Sequence, residues 1–163
     1  MSRKTLYKAK RVSDDKWIVG YYVEQYGLKQ IYLPNGVDSE FGFDAYHIWD
    51  GTLCRYTGLS DKYGNLIWEN DIIQYNTYDD FDCQSVVKFG EYEQDGSGGE
   101  YNGRKCIGIY VEVDNFTCPD WCDNEPEWFP DYMWQQNILE VASECRVIGN
   151  IFDNPEIVIK KVL

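Results

Sequence analysis

Asp61 and Asp71 flank a single run of turn and strand residues, and two carboxylates brought together there could share a proton or hold a metal ion. Each also has a local task, because aspartate at a bend accepts from backbone N–H groups nearby; we read both as turn caps. His47, in Ala45-Tyr46-His47-Ile48-Trp49-Asp50, has a carboxylate three residues on and could form a His–Asp base. No serine or cysteine nucleophile elbow accompanies it, so a packed or surface histidine is the reading. The six cysteines are Cys54, Cys83, Cys106, Cys118, Cys122 and Cys145. Cys118 and Cys122, in Cys-Pro-Asp-Trp-Cys, have a spacing that a zinc ligand pair tolerates, and they are the candidate metal residues. The second close pair of a zinc ribbon is missing, and the spacing is one residue too long for a redox Cys-x-x-Cys motif. No catalytic residue and no cofactor are assigned.

Charge narrows the options further. The 163 residues include 15 Lys+Arg and 28 Asp+Glu, a net charge of −13. Binding to a phosphate backbone needs clustered cations that release counterions, so direct nucleic-acid binding is not expected. The cluster Gly96, Gly98, Gly99 is surrounded by acidic residues and lacks the lysine of a phosphate loop. No apolar run approaches the roughly 18 residues that span a bilayer, so no membrane partner is expected. The basic residues Arg3 and Lys4 are followed by no apolar h-region, and the reducing cytoplasm is the expected compartment, with free thiols.

The elements that must position these groups are strands. In Lys16 to Val23, the alternate residues Trp17, Val19, Tyr21 and Val23 share one face. Lys29 to Leu33 follows as a second strand, closed by Pro34-Asn35-Gly36, and Val37 to Tyr46 reads as a loop. Thr52 to Thr57 is β-rich. Asp61 with Gly64 three residues later has the chemistry of a type I turn closed by a glycine bulge. Glu69-Asn70-Asp71 makes a second bend before the strand Ile72 to Tyr75. Ser85 to Phe89, Cys106 to Val113 and Arg146 to Phe152 are further strands, with Ile107, Ile109, Val111 and Val113 on one face. Glu91 to Arg104 reads as a hairpin tip. Asn115 to Asp131 reads as an irregular loop whose Trp121, Trp128 and Phe129 form a candidate contact patch. The spacing predicts one helix over Asp131 to Ala142 and a short turn after Pro155.

Two stretches carry a resemblance. Tyr56-Thr57-Gly58-Leu59-Ser60-Asp61, continuing through Gly64, Ile67 and Asp71, and Val147-Ile148-Gly149-Asn150-Ile151 with Asn154-Pro155-Glu156, together resemble the signature of the YopX family of phage and prophage proteins. Lys16 to Tyr21 and Val87 to Tyr92 are similar to it as well. Asn70 stands where the family usually has glycine, and asparagine is the commonest non-glycine residue at φ > 0. The resemblance implies a small, mainly β protein encoded in mobile elements, hence placed in the host bacterial cell, and implies no particular reaction. The signature residues Gly58, Asp61, Gly64, Asp71, Gly149, Asn150, Asn154 and Pro155 are of the types that build turns.

The expected architecture is mainly β: an antiparallel meander over residues 1–51, packed on a small SH3-like or partly open barrel over residues 52–163, in one cooperative unit with one short helix. The expected function is that of a non-enzymatic accessory protein acting through protein–protein contacts with an unidentified partner or another copy of itself. An acidic mimic of DNA that occupies a nucleic-acid enzyme, and a zinc-stabilised interaction module, are the alternatives.

Overall fold

Short β-branched and aromatic runs punctuated by glycine, asparagine and aspartate favour hairpins over helices, because paired strands satisfy the backbone that such turns expose. The computed structural model describes residues 5–34, 43–76, 82–94, 104–117 and 135–159. It is mainly β and antiparallel, in two compact units, Met1–Tyr56 and Thr57–Leu163. Among the described residues no helix is long and apolar enough to cross a membrane.

In the first unit, β1 (Tyr7–Lys10), β2 (Trp17–Gln25), β3 (Leu28–Pro34) and β4 (Phe43–His47) lie in the order β4-β3-β2-β1. The start of β5 (Cys54–Ser60) pairs with the free edge of β1 through Tyr7↔Arg55 and Lys8↔Cys54. Tyr26 and Gly27 join β2 to β3 with φ of 53° and 77°, the pair of positive angles that a two-residue hairpin turn matched to strand twist requires. Ala9, Ile31 and Ile48 are buried together, with Tyr7, Ile18, Tyr22 and Leu33 packed on them. The core therefore takes Ile18 and Tyr22 from β2, and the set Trp17, Val19, Tyr21, Val23 lies on the opposite face. Gly20 is obligatory for close approach, since a Cβ there would sit 2.3 Å from the Tyr32 carbonyl oxygen. The expected loop over Val37 to Tyr46 is corrected in part: Phe43–His47 is a strand registered on β3 through Gln30↔His47 and Ile31↔Tyr46. Its acidic, weakly alternating sequence hides a strand that exists because the edge of β3 offers unpaired backbone groups.

In the second unit, the end of β5 turns into β6 (Leu66–Trp68). The strands β7 (Asp71–Asn76), β8 (Asp82–Gln94), β9 (Arg104–Thr117), β10 (Gln135–Asn137) and β11 (Arg146–Asn150) form a sheet in the order β10-β9-β8-β7-β11. That order has two ends. Of the SH3-like or partly open barrel expected here, the described residues form an open sheet, with β10 and β11 at its two ends. Ile67, Ile73, Tyr75, Val87, Val111, Ile138 and Val141 form its core, joined by the thiols of Cys83 and Cys145.

Two further expectations change. β8 and β9 run well into the expected 91–104 tip, pairing as far as Gln94↔Arg104. Among the described residues β7 covers β8 only up to Val86 and β10 covers β9 only from Tyr110, so the ribbon outruns these neighbours. Ile107 is consequently 81% exposed although Val111, on the same face, is fully buried. The helix predicted over Asp131 to Ala142 is absent from its described part. Gln135–Asn137 pairs with β9 and Ile138–Glu140 is a single 3-10 turn. The Asn137 side chain accepts from the Leu139 backbone N–H at 2.9 Å, a local bond that starts the turn and competes with a helix through that point. The turn expected after Pro155 is a short helix, α1 (Pro155–Ile159), with proline at its first position.

Candidate functional site

The Asp61 turn has the predicted chemistry. Gly64 N–H donates to the Asp61 carbonyl at 2.9 Å, Asp61 N–H to the Asn65 carbonyl at 2.9 Å, and Gly64 takes φ of 84°. The Asp61 side chain is buried and fully committed. Its Oδ1 accepts from the backbone N–H of Tyr63 and of Asn65, both at 2.9 Å. Its Oδ2 accepts from Asn65 Nδ2 at 3.0 Å and, across the fold, from Val147 N–H at 3.0 Å. Burial pushes this carboxyl up, but the side-chain bond from Asn65 and the three backbone bonds outweigh it and hold the group below its ordinary value. It stays ionised and acceptor-only, which four donors demand.

The second bend is built the same way. Asp71, buried, accepts from Trp68 N–H at 2.8 Å, and Asn70 between them takes φ of 68°. Asn70 N–H donates to the Val87 carbonyl, and its own carbonyl accepts from Ile151 N–H at 3.1 Å. At the C-terminal motif, Asn150 Oδ1 accepts from Phe152 and Asp153 N–H at 3.0 Å each, while Asn154 Oδ1 accepts from Asn150 N–H at 3.3 Å. Gly149 must be glycine here, because a Cβ would meet Asn154 Oδ1 at 2.4 Å. Gly58 takes φ of 84°. The two stretches, remote in sequence, are therefore clasped at Asp61–Val147 and at Asn70–Ile151, with Pro155 opening the helix that follows.

Among the described residues, the chemical candidates other than His47 are engaged or buried locally. Asp61 and Asp71 each bind backbone N–H groups at their own bends. His47 is on β4, exposed, and the Asp50 carboxylate accepts from Lys29 Nζ at 2.6 Å. Cys54, Cys83 and Cys145 are buried free thiols and Cys106 is half-buried. Burial, with Asp82 nearby, pushes the Cys83 thiol up to about 12; burial, with Asp61 nearby, pushes Cys145 up to about 11. Cys118, Cys122, Trp121, Trp128 and Phe129 lie outside the described residues.

Sequence reasoning missed a polar cleft beside the Asp61 clasp. It is a cavity of about 300 Å³ lined by Lys62, Gln74, Tyr75, Asn76, Glu144 and Arg146, at the lower bound of cavities that hold small molecules. Lys62 N–H donates to the Cys145 carbonyl at 3.1 Å, and Arg146 lies opposite Gln74 in the β7–β11 register. The same clasp that closes the turn thus brings two cations to one cleft. The usable signal was the placement of Lys62 and Arg146 next to signature residues in an acid-rich stretch. Their convergence needed the register.

Charge is divided between the units. Residues 1–56 hold 8 of the 15 Lys+Arg and 7 of the 28 Asp+Glu, so residues 57–163 hold 7 and 21. The first unit is close to neutral and the second carries the acidity.

Among known proteins, the family model described as YopX protein matches residues 7–158 of the chain. No curated protein matches it.

Proposed function

This chain belongs to the YopX family, and from that premise we propose that it is a non-enzymatic protein of phage or prophage origin that works in the bacterial cytoplasm through protein–protein contact. One observation carries this reading: the polar side chains of the signature are spent within the chain itself, with three backbone N–H groups and the Asn65 side-chain amide all donating to Asp61. A nucleophile, a base and an orienting group need convergent free valences, and these residues have theirs occupied. Contact area is the resource left to such a fold. Tyr26, 94% exposed at a hairpin tip, and Ile107, on the ribbon beyond β7 and β10, are large apolar groups of the kind that anchor interfaces.

The test is affinity capture from host cells with the full chain, followed by binding measurements on the recovered protein or, by light scattering, on a second copy. Tyr26→Ser, Ile107→Glu and a Trp121→Ala/Trp128→Ala variant sample the candidate surfaces. Loss of the complex in at least one of them, at unchanged melting temperature, is the expected result. Retention in all three, or turnover of a substrate by the purified chain, refutes the reading.

The uneven charge favours a second reading, an acidic unit that imitates a duplex to a DNA-binding enzyme. It predicts a partner released by salt and displaced by duplex DNA. A partner held equally at low and high salt refutes it.

A further inference from the structure

In the second unit, the cations whose side chains are described fall into two classes. Lys88 pairs with Glu112, and Lys105 with Glu91 at 2.9 Å. Lys62 and Arg146 have no carboxylate within 4.0 Å among the described residues, although acidic side chains outnumber basic ones threefold in this unit. Both line the same cleft. In an acid-rich surface, an unpaired cation is expected to find a carboxylate by chance; two that converge without one are held apart by the fold.

How Arg146 is held is visible in its partners. Its Nε donates to Gln74 Oε1 at 2.9 Å, and Nη2 donates to the same oxygen. Gln74 is itself turned by Asp82, whose two carboxylate oxygens accept from Gln74 Nε2 at 2.7 and 2.6 Å. The relay Asp82–Gln74–Arg146 fixes the plane of the guanidinium through a neutral amide. Among the described residues no carboxylate touches the guanidinium, and three of its five N–H donors remain for a ligand. Lys62 stands over the Tyr63 ring, 5.5 Å from its centroid, with its three ammonium donors also available. Asn76 adds an amide to the wall.

We propose that this cleft is a binding site for a carboxylate group, gripped by the preset fork of Arg146 and the ammonium of Lys62. A planar carboxylate matches the guanidinium fork. Charge argues against a dianion: among the described residues two cations line the cleft against Glu144, with the Asp82 carboxylate behind Gln74, so a monoanion is accommodated where a dianion would overshoot in an already acidic unit. The carboxylate can belong to a small free acid or to an acidic side chain or C-terminus of a peptide. The site is independent of the contact surfaces proposed above, none of which contributes a residue to it.

The test is an NMR titration of the full chain, following the Arg146 Nε–H and Lys62 side-chain signals. Acetate, a short acidic peptide and inorganic phosphate are added, each against sodium chloride at equal ionic strength. Acetate and the peptide should give saturable shifts, with phosphate weaker. Comparable affinities for the two would assign a free acid; a peptide tighter by roughly tenfold would assign an acidic segment. Lys62→Gln and Arg146→Gln should each weaken binding about tenfold, while Glu144→Gln should tighten it several-fold. All three side chains are exposed, and melting curves check folding; were Arg146→Gln to unfold, Lys62→Gln and Glu144→Gln carry the test. No saturable shift beyond chloride, shifts indifferent to these substitutions, or phosphate binding tighter than carboxylate overturns the proposal.

Discussion

Replacing Asp61 by asparagine removes one acceptor oxygen and inserts an NH2 group where two donors point. Oδ1 can keep Tyr63 and Asn65 N–H, but the new amide nitrogen then faces Val147 N–H and Asn65 Nδ2, or the reverse if the group flips. In the first orientation one backbone N–H is orphaned at a buried site, at about 1–3 kcal/mol, and in the flipped one two are, so the first is favoured; a bond to an ionised acceptor is lost at the same time. We expect Asp61→Asn to cost about 2–4 kcal/mol at neutral pH. For a chain of this size that is a fall in melting temperature of roughly 5–12 °C. Because the folded carboxyl lies below its ordinary value, its contribution is fully present above the unfolded value near 4 and fades as pH falls through the folded one. The gap between wild type and variant should therefore be constant from neutral pH down to about 5 and shrink below about 4. Urea denaturation followed by tryptophan fluorescence across that range measures both. A variant within about 0.5 kcal/mol of wild type at neutral pH, or a gap that widens in acid, refutes the clasp as a stabilising device.

Other consequences are equally direct. Gly149→Ala should destabilise by about 1–3 kcal/mol, since its Cβ would strike Asn154, and the penalty should shrink in an Asn154→Gly background; a double-mutant cycle by denaturant titration tests the coupling. Asn70→Gly should be neutral or stabilising by up to about 1 kcal/mol, whereas Asn70→Val should cost about 1–2 kcal/mol, because only the first relieves the positive φ; thermal melts separate them. Cys83 and Cys145 should resist alkylation in the native chain and react on unfolding, given their burial and raised thiols. Peptide mapping after iodoacetamide at mildly alkaline pH checks this, and native-state labelling of either contradicts it.

Local residue chemistry was sufficient for the bends. Asp61 with Gly64, and Asn70 with Asp71, act within a few residues of themselves, so their types and spacing specify the turns without reference to the rest of the chain. The same locality made β2, β3, β7 and the proximal part of β9 legible from alternation alone, and it identified the family. What it could not supply was anything decided by a distant partner. Phe43–His47 becomes a strand only because β3 has an edge to fill, and Gln135–Asn137 is extended because β9 claims it. Ile107 is exposed because the neighbouring strands stop short, not because of its own alternation. The cleft is the clearest case. Lys62 and Arg146 are ordinary surface cations in the sequence, and meet only because the Asp61 carboxylate reaches Val147 while β11 registers Arg146 on Gln74. Turn chemistry is short-ranged and written in consecutive residues; strand pairing and convergence of charge are long-ranged, and they exist only once the chain has closed on itself.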